Sequence, residues 1–287
     1  MSVLVNSVVM IGMFWVVPTG LALVDGPRPP GWDPLRRAWP LLAVPGALAL
    51  WLPRSGTATA LAGAYALATL ALALQAPARL MLTRSLRPSE VAVLSALVAP
   101  SVAGLALVAE RASYPLFGFD LDILALTVPH FHFAGFAAAL VAGLVSRTSD
   151  GPAARLAALS VPAGTLLVLL GYFVDDWAEL AGAAVLTTGM AAVSVLTLRE
   201  RRELATDRLT RGLLAVSALV LVATMLLALS WALGEATGLP HLSLTWTAAT
   251  HGLGNALGFA VCALLARRRL ATAPASPALL PRTELPA

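Results

Sequence analysis

The stretch ILALTVPHFHFAGFAAALVAGLV, residues 123–145, is uncharged apart from its histidines and long enough to cross a bilayer. A hydrocarbon core of ~30 Å is crossed by ~20 residues of helix, so the stretch reads as a transmembrane span. Its middle, PHFHFAGF at 129–136, is the exception to that reading. Imidazoles in hydrocarbon are costly unless they find a partner, and by default they mark a site. Pro129 removes one helical donor and sets its ring against the carbonyl of Ala125, which predicts a kinked or loosened helix just before HFH.

Outward from this span, the chain of 287 residues is 59% hydrophobic and 12% charged, with mean hydropathy +0.83. That balance excludes a soluble globular domain and predicts an all-α, polytopic transmembrane helix bundle. Further apolar runs fall at 3–24, 38–53, 57–77, 89–109, 154–174, 177–198, 210–234 and 244–266, for about nine spans. The second is short and carries Pro40 and Pro45, which predicts a kinked, tilted or partly re-entrant segment. The first has no basic leader and no small-residue cleavage site, so it reads as a retained span.

All 19 basic residues are Arg. With nine alternating spans, every Arg except Arg54 and Arg111 falls in an odd-numbered connection or after the last span. The positive-inside rule then puts the N-terminus outside and the C-terminus in the cytoplasm, in a multi-pass protein of the cell membrane. The sequence pI of about 10.2 is thereby a topology signal and calls for no nucleic acid. Residues 1–269 form the transmembrane domain, and 270–287, rich in Ala and Pro, read as a disordered cytoplasmic tail. The single Cys262 excludes an intrachain disulfide and a cysteine metal cage. Lipid is the one partner that composition implies, and oligomeric state is left open.

On this topology His130 and His132 lie roughly 12 to 15 Å below the outer end of the fifth span, and His251 roughly 10 Å below that of the ninth. Residues i and i+2 of a regular helix point ~200° apart, so only one of His130 and His132 would face the bundle interior unless the backbone deviates there, the other meeting a neighbouring helix. In THGLGNALGF, residues 250–259, His251 and Asn255 share a helix face with Thr247, while Gly254 and Gly258 form a GxxxG packing motif. YFVDDWAEL contributes Asp175, Asp176 and Glu179 at the outer turn between the sixth and seventh spans. These seven residues, His130, His132, His251, Asn255, Glu179, Asp175 and Asp176, are the candidate substrate or proton site. The plainer alternative is interhelical hydrogen bonding for the histidines and Asn255, and solvated turn residues for the two Asp. Most of the Trp residues, Trp39 and Trp231 among them, read as interfacial or packing groups.

HFHFAGF followed by THGLGNALGF resembles the YndJ-like family of bacterial integral membrane proteins. The resemblance implies that His130, His132, His251, Gly252 and Asn255 are characteristic positions and that the protein belongs to a group sometimes labelled transporters. It supplies no reaction. Three readings therefore stand. A transporter would use the imidazoles and acids for a small molecule or ion. A membrane-embedded enzyme would use His with Asp or Glu as base and acid on an isoprenoid- or polyketide-like lipid-soluble substrate. A metal or haem protein would use His130, His132 and His251 as ligands, the least favoured of the three.

Overall fold

The structure, a computed structural model, describes residues 3–205 and 207–272. It is all-helical, with no strand among the described residues. Eight helices are long and apolar enough to cross a membrane: α1 (Val3–Leu23), α3 (Gly56–Thr83), α4 (Pro88–Arg111), α5 (Leu121–Val145), α6 (Pro152–Gly171), α7 (Asp176–Glu203), α8 (Arg208–Thr237) and α9 (Leu244–Thr272). A further helix, α2 (Trp32–Trp51), lies between α1 and α3 in the chain. The protein is thus a multi-pass membrane protein by the length and composition of its helices.

Helix α2 begins six residues before the apolar run that suggests it and takes in Asp33, Arg36 and Arg37, which lowers its hydropathy. Pro40 and Pro45 lie inside it without breaking it. It runs antiparallel to α1 along its length: Asn6 Nδ2 donates to the Leu50 carbonyl at 2.9 Å, and Trp39 Nε1 donates to the Met13 carbonyl at 2.9 Å. Trp39 is fully buried, so it is a core residue and not part of an interfacial belt. Helix α9 continues to Thr272, so residues 270–272 are helical where a disordered tail is expected, and the rest of that tail lies outside the described residues.

Helix starts follow capping chemistry. Ser55, Asp175, Asp207 and Ser243 each accept from the backbone N–H three residues on, satisfying a donor that the first helical turn leaves free. At Asp207 the Thr210 hydroxyl and backbone N–H hold the carboxyl down at about 2, so this cap persists until strongly acid pH.

Helix α5 is the hub, with 78% of its apolar window buried against 28% for α9. The two ends of the bundle differ in charge. At one, Arg79 makes a bidentate pair with Glu90 (2.5 and 3.1 Å), Arg147 reaches Glu90 at 3.2 Å and also pairs with Asp25, and Arg267 meets Glu200 at 2.7 Å. Thr148 donates to the other Glu200 oxygen at 2.9 Å, so the segment after α5 is tied to both acids. At the other end Arg54 and Arg111 converge on Glu110, which is fully buried. One carboxylate therefore bridges both arginines of the Arg-poor end, leaving the cluster with a net charge of +1.

Helices α6 and α7 approach most closely, along a seam of glycines seven residues apart on each: Gly164 and Gly171 on α6, Gly182 and Gly189 on α7. A Cβ on Gly182 would lie 2.5 Å from the Val168 backbone nitrogen, and one on Gly171 2.5 Å from that of Glu179. Between helices in lipid there is no hydrophobic drive to associate, so backbone-to-backbone packing of this kind supplies the attraction.

Candidate functional site

Three helices change winding at mid-length. Gly12–Val16 in α1, Phe131–Ala138 in α5 and Gly254–Val261 in α9 are π-helical, and the three segments pack on one another. Such segments occur most often at functional sites, since the wider turn re-aims side chains and frees backbone groups. In α5 the loosening follows Pro129 and does not precede it, because the helix up to His130 keeps its α form.

The split of His130 from His132 follows. His132 is fully buried on the side facing α1 and α3. Its Nδ1–H donates to the Val128 carbonyl at 2.7 Å, which leaves Nε2 to accept from the Tyr65 hydroxyl at 2.6 Å. Its room is made by Gly12, where a Cβ would come 2.9 Å from the His132 Cβ. Tyr65→Phe would strand a buried imidazole nitrogen, and a loss of about 1 to 3 kcal/mol is expected in thermal unfolding of the purified protein. An unchanged midpoint would show that this contact contributes nothing.

His130 faces the opposite way, into a cavity of about 830 Å³. Neither of its ring nitrogens has a hydrogen-bond partner among the described residues, and it lies within electrostatic reach of His251. The floor is formed by the π segments of α5 and α9, through Phe131, Phe133, Asn255 and Phe259. Above the floor α5 and α9 both line the chamber up to the Arg-poor end, and α1, α4, α6, α7 and α8 complete a mostly apolar wall.

On α9 the polar stripe is a closed network. His251 Nδ1–H donates to the Thr224 carbonyl at 2.7 Å, and His251 Nε2 accepts from Asn255 Nδ2 at 3.1 Å. The Thr224 hydroxyl donates to Asn255 Oδ1 at 2.7 Å. Gly254 and Gly258 let α8 come this close, since a Cβ on either would strike Thr224 or Val220. His251 is thus a fixed neutral tautomer with both nitrogens engaged, whereas the Thr247 hydroxyl, one turn earlier, is buried on the cavity wall with no partner among the described residues.

Glu179 is buried between the cavity and a second chamber of about 450 Å³ at the Arg-poor end. Tyr172 lines both chambers beside it. Asp175, Asp176 and Glu235 line the second chamber with His241, which meets Glu235 at 3.1 Å. Asp175 serves as the α7 cap and Asp176 is exposed. The structure therefore brings together His130, His251, Asn255 and Glu179, sets Asp175 and Asp176 at the mouth, and sends His132 elsewhere. The three-histidine ligand set is not assembled, because Tyr65 and Val128 occupy both nitrogens of His132. Among the described residues no group of three or more His, Cys, Asp or Glu is placed to hold a metal ion.

Tyr65, Thr224 and Tyr172 have no sequence signal that separates them from other polar residues in oily helices, whereas Thr247 had one in the polar stripe it shares with His251 and Asn255. The π segments had a partial one, in Pro129 and the closely spaced glycines of α9.

No curated protein and no solved structure matches the chain. A family model does match, over residues 7–259, a range that holds all seven candidate positions together with Tyr65 and Thr224. The chain belongs to the YndJ-like protein family.

Proposed function

We propose that the protein is a transporter whose cavity binds a small molecule or ion from the outer side of the cell membrane. All nine helices cross, the Arg-rich end is cytoplasmic and the N-terminus is outside, as the positive-inside rule requires. The observation that carries this reading is the one-sided cavity. His130, uncommitted, stands in an apolar chamber whose lining reaches Leu116, Phe117 and Phe119 at the Arg-poor end. Toward the Arg-rich end, packed π segments and then the Glu90 and Glu200 ion pairs close the path. Such a closure is what one state of an alternating-access protein requires, and breakable charge pairs suit it better than a continuous apolar core.

Thiol accessibility tests it. In a Cys262→Ser background, Ala248→Cys on the cavity wall should react in intact cells with a membrane-impermeant maleimide added outside. Ala263→Cys, fully buried beyond the π floor, should react slowly with the same reagent offered from the cytoplasmic side of inverted vesicles. No outside labelling at position 248 would overturn the orientation or the cavity. Labelling at 248 with none at 263 would make the cavity a static binding or catalytic site.

A further inference from the structure

We infer that the ligand of this cavity is a lipophilic organic cation, a protonated or quaternary amine on an apolar body. The inference rests on the reading of the cavity as a ligand site and adds the sign of the ligand's charge. Among the described residues no Arg lines either chamber, and the chain has no Lys. The carboxylates on the two chambers are Asp122 and Glu179 on the larger, and Asp175, Asp176, Glu179 and Glu235 on the smaller. The imidazoles on the two chambers are His241, which is engaged by Glu235, His251, whose nitrogens are taken by Thr224 and Asn255, and His130 deep in the larger chamber.

The acids are not the whole case. Glu179 is buried where the two chambers join, and the two arginines of that end, Arg54 and Arg111, pair with Glu110 and line neither chamber. The Thr247 hydroxyl, 8% exposed as a residue, is a polar atom without a partner among the described residues on the lining of the larger chamber. Aromatic faces flank the mouth: Phe119 packs edge-on against Tyr172 and Phe173, and Phe117 against Phe173. Such faces attract cations and repel anions. An apolar body of drug-like size fits ~830 Å³, within the usual range for ligand pockets. Its charged end would rest at Glu179, with Asp176 and Glu235 beyond it, while an anion at that end would face the same carboxylates with no guanidinium or ammonium group to offset them.

Two ions of nearly equal size and opposite charge make the test direct. Radiolabelled tetraphenylphosphonium and tetraphenylborate are titrated onto the protein in lipid nanodiscs, with empty nanodiscs as reference. Saturable binding of about one tetraphenylphosphonium per chain is expected, at least tenfold tighter than tetraphenylborate. Glu179→Gln should weaken the cation roughly tenfold, and Glu203→Gln, at the Arg-rich end, should not. Should Glu179→Gln fail to fold, Asp176→Asn with Glu235→Gln makes the same comparison. Equal or tighter binding of the borate, or indifference of the phosphonium to these neutralisations, overturns the cation assignment and leaves the cavity a ligand site. Saturable binding of neither ion overturns the ligand site itself.

Discussion

Arg267→Met is expected to cost about 3 to 5 kcal/mol, the usual loss when one partner of a buried ion pair is removed. Arg267 and Glu200 are each 6% exposed at the side chain and lie 2.7 Å apart. Without the guanidinium, Glu200 keeps the Thr148 hydroxyl and loses its charge partner. The apparent Tm, followed by tryptophan fluorescence in detergent, should fall by on the order of 10 °C. Adding Glu200→Gln should recover most of the loss, because the penalty comes from a stranded charge and not from a missing contact. A fall that the second change does not reverse would place the energy in packing. The same pair of variants bears on the proposed closure: Arg267→Met should speed cytoplasmic labelling at position 263, since a tie between α7 and α9 has been cut.

The glycine seam carries the other large effect. Gly182→Leu puts a side chain where even a Cβ would be 2.5 Å from the Val168 backbone. Backbone cannot step aside as a flexible side chain can, so α6 and α7 must part. A loss of about 3 kcal/mol is expected, the upper end of the usual cost of overpacking. Gly63→Leu on α3 is the control, because nothing lies within 4 Å of a Cβ there, and its midpoint should stay near that of the parent. Equal effects at the two positions would mean that the seam is not a tight contact. Gly171→Ala is the milder form with a functional readout. Its Cβ would press on the Glu179 backbone, so it should weaken tetraphenylphosphonium binding more than it lowers Tm.

Much of the molecule is legible in the residues because a bilayer permits so few solutions. Backbone groups in hydrocarbon must pair within their own segment, so an apolar run of sufficient length is a helix, and its limits follow the hydropathy. The two arginines expected at the Arg-poor end are there, gathered on Glu110. Polar atoms in such helices are few enough that His130, His251, Asn255 and Glu179 stand out as candidates by their cost alone. The 200° rule likewise says that, on a regular helix, one of His130 and His132 must turn away from any shared site.

Which one turns away is a tertiary matter. It depends on Gly12 leaving room beside His132 and on Tyr65, far away in the chain, offering a hydroxyl at 2.6 Å. The same holds for His251, whose nitrogens are spent on Thr224 and Asn255 while those of His130 remain uncommitted. Sequence by itself determined that this chain is a helical membrane protein with costly polar groups inside it, because hydrophobic length and desolvation cost are properties of single segments. Only the tertiary structure decided which of those groups are satisfied and which are left facing a cavity, because a hydrogen bond or a close glycine contact belongs to two segments at once.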